Sequence, residues 1–218
     1  MQEMESKSQT DPILTEKAAA IAEIARCFYQ RGWVLGTSGN FSSVLSREPF
    51  RLAITSSGID KGLIDAVNIL EVDEMGSVVS GTARASAETL LHVEIARRRG
   101  AGAVLHTHSI WSNILSEASA ARGGIEISGY EMLKGLEGVQ SHDEREWLPI
   151  LENSQDMAAL SGVVGETLDR FPACHGFLLR RHGLYTWGRD LAEAKRHVEI
   201  FEFLLEVIGR TRELDGRS

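Results

Sequence analysis

The sequence predicts an α/β fold with a central, partly antiparallel sheet covered by helices. Three observations lead there. Apolar stripes at helical spacing recur along the chain, as in Ile13, Leu14, Ile21, Ile24, Ala25 and Phe28. Short apolar runs of strand type lie between them. The two kinds of segment are mixed without a strict βαβ rhythm, which disfavours an all-parallel sheet. The 218 residues are enough for one core, and no repeat, low-complexity tract or linker divides them. A single domain over 11–210 is expected, with polar tails at 1–10 and 211–218.

The elements follow in order. Asp11-Pro12 opens a helix, with Asp as cap and Pro at the first position, and Gly32 stops it. Trp33-Val34-Leu35, Ser42 to Leu45 and Phe50 to Ile54 read as short strands. Asn68 to Val72 and Ser77 to Val79 flank Glu74-Met75-Gly76 as a hairpin. Ser86 begins a helix that ends in Arg97-Arg98-Arg99-Gly100, where cations and a glycine suit a C-terminus. Ala103 to Leu105 is a buried strand. Ile110 to Ser119 is a short helix, Ile125 to Ile127 a strand, and Tyr130 to Gly135 a helical turn. Leu148 to Leu151 and Gly176 to Leu179 are strands, and Arg180 to Gly188 is a loop and strand. Met157 to Leu168 and Leu191 to Ile208 are helical.

Composition narrows the function classes. Asp and Glu number 31 against 23 Lys and Arg, a net charge of −8 that disfavours non-specific nucleic-acid binding. No apolar run approaches the roughly 20 residues a membrane span needs. The first ten residues carry no apolar signal region, and two cysteines make no disulfide framework, so a cytoplasmic protein is expected.

The strongest chemical signal is His106-Thr107-His108 at the end of an apolar strand. Residues i and i+2 of a strand share a side, so the two imidazoles can clamp a metal. They can equally be two satisfied surface histidines. His182, also directly after an apolar strand, adds a third imidazole, and three neutral imidazoles with an open position define a catalytic zinc site. His92 and His197 lie within helix patterns, where packing or solvation explains them. The loops Gly36 to Asn40 and Thr55 to Gly58 can present backbone N–H groups and hydroxyls to a phosphate, with Lys61 as a point charge. Ordinary turns have the same composition, and neither loop matches a nucleotide fingerprint. Glu88 and Glu131 stand out by position, although a helix start and a solvated turn account for them as well.

Taken together, Gly36-Thr37-Ser38-Gly39-Asn40, Thr55-Ser56-Ser57-Gly58, Ser86-Ala87-Glu88-Thr89, His106-Thr107-His108 and Arg181-His182-Gly183 resemble the class II aldolase/adducin family. The resemblance runs from about Thr15 to Ile208. It implies an αβα sandwich around a mostly antiparallel sheet. It further implies a homotetramer with active sites near subunit contacts, and one Zn²⁺ per subunit on His106, His108 and His182. Gly39, Asn40, Ser57, Gly58 and Lys61 fall where the family holds a substrate phosphate. The stretches Gly129 to Gly135, Pro149 to Asn153 and Arg180 to Gly188 resemble the family's sugar-phosphate dehydratases, in which Glu131 falls on the acid/base. Glu88 matches the acid/base of the family's aldolases. A zinc lyase that dehydrates a ketose phosphate is therefore expected, with Glu131 chosen over Glu88 for proton transfer. An aldolase or epimerase working through Glu88 is one alternative. A metal-free interaction domain of adducin type is another, because fold does not fix function.

Overall fold

The structure is a computed structural model and describes residues 11–215. The expected tails over 1–10 and 216–218 lie outside the described residues. Five helices, α1 (Pro12–Gln30), α2 (Thr89–Arg98), α3 (Ile110–Ala118), α4 (Met157–Arg170) and α5 (Leu191–Asp215), enclose one sheet. Its strands are β1 (Asn40–Arg47), β2 (Phe50–Thr55), β3 (Ile69–Val72), β4 (Val78–Ser80), β5 (Ala103–Thr107), β6 (Gly124–Ile127), β7 (Glu146–Leu151), β8 (Gly176–Leu179) and β9 (Gly183–Gly188).

The spatial order is β4-β3-β2-β1-β5-β9-β8-β7-β6. Neighbours are antiparallel except β7 and β8, which run parallel. The sheet thus divides into an early half, β1 to β5, and a late half, β6 to β9, which meet only where β5 lies beside β9.

Alternation along β5 explains the three layers. Val104 packs with Leu52, Leu91, Val164 and Phe177 under α2 and α4. Ala103 and Leu105 face the other way, against Ile21, Phe28 and Val198 of α1 and α5. A third cluster, Leu115, Leu148, Leu184 and Leu204, seats α3 and the middle of α5 over the late half. Each fully buried Leu or Phe contributes about 1.5–3 kcal/mol relative to leaving it in water. The αβα sandwich around a mostly antiparallel sheet is present as expected.

Asp11 caps α1, accepting from the Ile13 N–H at 2.9 Å. Three elements differ from the sequence reading. Trp33-Val34-Leu35 joins no ladder. It is a connecting bend whose Trp33 carbonyl accepts the His108 N–H at 2.8 Å, so its apolar character reflects the buried Val34 rather than a strand. α2 begins at Thr89, not Ser86, because the Ser86 hydroxyl and carbonyl are spent on the Glu88 N–H and the Thr89 hydroxyl. α5 runs on to Asp215, through part of the expected C-terminal tail. No helix of the described residues is long and apolar enough to cross a membrane.

Candidate metal centre and phosphate cleft

β5 carries His106 to the open end of the sheet, opposite Asn40 on β1 and Tyr185 on β9. The strand ends at Thr107, so His108 has already left the ladder. Even so, His108 Nε2 lies 2.7 Å from His106 Nε2. His182 arrives from the β8–β9 turn, its Nε2 3.4 Å from that of His106. This approach depends on Gly183, where a Cβ would stand 2.0 Å from the Thr107 carbonyl oxygen. Arg181 turns the chain there at φ 54°. It is tied, with Arg180, to Glu117 of α3.

The donor set fits a cation. Among the described residues these three histidines alone form a metal-capable group, with ligand atoms within 4.8 Å of one another. His106 Nδ1 donates to the Leu184 carbonyl at 2.9 Å, which fixes the tautomer and leaves the Nε2 lone pair facing the other rings. Facing lone pairs repel unless something positive lies between them. All three rings are held neutral. Burial and the other two histidines push His106 well below its usual range, burial brings His108 to about 3, and burial lowers His182 against the opposing Glu88 charge. His182 Nδ1 is buried without a partner.

Glu88 borders this group without belonging to it. It sits just before α2 but makes no cap bond. Its Oε1 lies 3.2 Å from His182 Nε2 and 3.8 Å from His106 Nε2. Its Oε2 accepts from Asn40 Nδ2 at 2.6 Å. Tyr185 stacks on His106 at 3.8 Å between centroids, and burial followed by the Glu88 charge keeps its hydroxyl protonated.

Beside the histidines lies a cleft of about 120 Å³ bordered by Gly39, Ser56, Lys61, Glu88 and His108, among others. Gly39, Asn40, Ser57, Gly58 and Lys61 all line it, so the predicted phosphate residues are brought together. Gly39 has φ +73°, and a Cβ there would meet the His106 carbonyl oxygen at 2.7 Å. Lys61 is only 1% exposed and donates to the carbonyls of Thr37 and Ile59 at 3.3 and 3.0 Å. Burial pulls its pKa down to about 8, with Asp60 opposing. The Asn40 side-chain amide donates to Glu88, which borders the same cleft.

Glu131 is not in this cleft. It is 72% exposed on a 3₁₀ turn, its carboxylate held by Lys134 at 2.6 Å and kept below its ordinary pKa by that cation. Ser56, within the predicted loop Thr55 to Gly58 but not singled out, has its Oγ buried at the cleft without a partner. His92, read as a packed helix residue, bonds Asn40, and its Glu88-x-x-x-His92 spacing placed it one turn below Glu88.

The family model described as class II aldolase and adducin N-terminal domain matches residues 19–208. A methylthioribulose-1-phosphate dehydratase of Marinobacter nauticus is 43% identical over 87% of this chain and 90% of its own. One from Stenotrophomonas maltophilia is 44% identical over 93% and 94%. Among solved structures, an L-fuculose 1-phosphate aldolase superposes with TM-score 0.75 at 21% identity, over 91% of this chain and 87% of that one. An L-fuculose-1-phosphate aldolase from Thermus thermophilus gives 0.74 at 24%, over 93% and 98%. At these identities the structures support the fold.

Proposed function

The chain belongs to the class II aldolase and adducin family, and from that premise we propose a zinc-dependent hydro-lyase. The substrate is 5-methylthioribulose 1-phosphate, and the product is 2,3-diketo-5-methylthiopentyl 1-phosphate, a step of methionine salvage. The observation that carries this reading is the convergence of three neutral imidazoles and one carboxylate beside a glycine- and lysine-lined cleft, in a chain over 40% identical to dehydratases of that substrate.

His106, His108 and His182 would hold the metal, and Zn²⁺ bound there would supply Lewis acidity toward the substrate's carbonyl and hydroxyl oxygens. Lys61, Ser57, Gly58 and the Gly39-Asn40 turn hold the phosphate, and the unpartnered Ser56 hydroxyl is available to the same oxygens.

Elimination of water needs a base for the proton on carbon 3 and an acid for the hydroxyl leaving carbon 4. Glu88 is the carboxylate in the cleft, so we assign it the carbon-3 proton. Glu131, exposed and paired with Lys134 in a single chain, is assigned to a neighbouring copy's site in a homotetramer, where leaving Lys134 and losing water would raise its pKa so that it can protonate the departing hydroxyl. The carbon–hydrogen and carbon–oxygen bonds break, water departs, and the resulting enol tautomerises to the diketone.

The test is incubation of purified, zinc-loaded protein with 5-methylthioribulose 1-phosphate, monitoring the diketone, beside retro-aldol assays with fuculose 1-phosphate and ribulose 1-phosphate. Diketone formation without cleavage supports the assignment. Cleavage without dehydration would replace it with an aldolase.

A further inference from the structure

We propose that His92 is a positioning residue for Glu88, acting through the side-chain amide of Asn40. This rests on the reading of Glu88 as part of the metal and proton-transfer machinery.

The polarity of the contacts is dictated from one end. An ionised carboxylate can only accept, so the Asn40 group facing Glu88 Oε2 is the Nδ2 amide, at 2.6 Å. The Asn40 carbonyl oxygen then faces His92 Nε2, which must be the donor. A neutral ring that donates from Nε2 accepts at Nδ1, and Ser42 Oγ stands there at 2.8 Å. The order is therefore His92 to Asn40 and Asn40 to Glu88, both hydrogens aimed toward the carboxylate, while the Ser42 hydroxyl stands at His92 Nδ1 and also 3.4 Å from the Val104 carbonyl. His92 is fully buried, and that burial brings its pKa to about 3.

The elements explain why this line forms. Asn40 and Ser42 are two residues apart on β1, so both face α2 and bracket the two nitrogens of one ring. His92 and Glu88 are four apart at the start of α2, on one helix face. Asn40 reaches between them, with a second contact to Ser86 Oγ at 3.3 Å. Glu88 makes no cap bond, so its carboxylate is held by side chains, with the Asn40 amide on Oε2 and the Tyr185 hydroxyl as a further partner. A buried histidine needed only for packing has no reason to take part in a line ending on the cleft carboxylate.

The experiment compares His92→Leu, His92→Asn and His92→Gln with Glu88→Gln and the double variants. Two readouts are taken: zinc affinity of the whole protein by chelator competition, and kcat and KM. Outer-shell partners of metal sites typically cost 10–100-fold in affinity or activity when lost. His92→Leu is therefore expected to weaken zinc binding and lower kcat by roughly tenfold or more, with KM changed far less. His92→Gln, whose amide can reach and donate to Asn40, is expected to recover most of both. Adding His92→Leu to Glu88→Gln is expected to cost little more. Should His92→Leu fail to fold, His92→Asn against His92→Gln makes the same comparison, because the shorter amide cannot reach. An equal loss in the wild-type and Glu88→Gln backgrounds would overturn the proposal, as would a folded His92→Gln no better than His92→Leu. Zinc affinity needs no substrate, so an enzyme inactive on the ketose phosphate would fail the functional reading while His92 is still judged.

Discussion

Glu88 and His182 meet across the molecule, carboxylate Oε1 to imidazole Nε2 at 3.2 Å, although one precedes α2 and the other follows β8. Glu88 therefore faces the histidine centre and does not cap its own helix. Glu88→Gln keeps the shape but cannot take a proton. At saturating zinc its kcat is expected to fall by about 10² or more, the usual scale for a lost general base. Steady-state kinetics with metal analysis checks this, and normal turnover would return the cleft to some other base.

His106→Ala is expected to remove most bound metal and activity together, since two imidazoles and a carboxylate leave the site incomplete. The check is zinc content after gel filtration. Full occupancy with intact turnover would remove His106 from the ligand set.

Lys61 gives a pH dependence with a definite sign. Its pKa is lowered to about 8, so the free protein loses this cation as pH rises through 8. Phosphate binding weakens in step, and kcat/KM is expected to decline on the alkaline side. Lys61→Arg keeps its charge and should push that limb to higher pH. A profile unchanged by the substitution would take Lys61 out of phosphate binding.

Glu131 can be placed by mixing variants. Chains carrying only His106→Ala and chains carrying only Glu131→Gln are each expected to be nearly inactive. Co-expressed mixed oligomers should regain measurable turnover if one copy's Glu131 serves another copy's histidines. No recovery from proven mixed oligomers would count against the assignment.

Gly183→Ala tests the closeness of β5 and β9. The new methyl group would collide with the Thr107 carbonyl, which is backbone and cannot swing aside. A loss of about 1–3 kcal/mol or more, the scale of overpacking, is expected with weaker zinc binding. Thermal melting and chelator competition measure both, and an unaltered Tm would show that the strands part at no cost.

The layered fold was legible because its strands are strongly patterned: Ala103 to Leu105 and Gly176 to Leu179 are buried on both faces and read as plain apolar runs. Trp33 to Leu35 misled because a bend that buries only Val34 shares its apolar composition with a short strand. The histidine cluster was visible because its members lie within three residues of such runs. Glu131 is where sequence and single-chain structure part: its neighbours mark it as special, yet one copy leaves it in solvent. The His92 contacts were hidden because they join residues of two elements whose register no local pattern states.

The division of the sheet would give a bound metal a mechanical meaning. His106 and His108 belong to the half built first along the chain, and His182 to the half built last, so a cation shared by them would act as a cross-link over the β5–β9 seam. Such a clasp closes a long loop, a constraint whose benefit to the folded state grows with the length of chain enclosed. Chelation should therefore be felt as faster amide exchange along β9 and β5, while β3 and β7, far from the seam, stay as protected as before. The ion that serves the chemistry would also be the rivet between two halves of one domain.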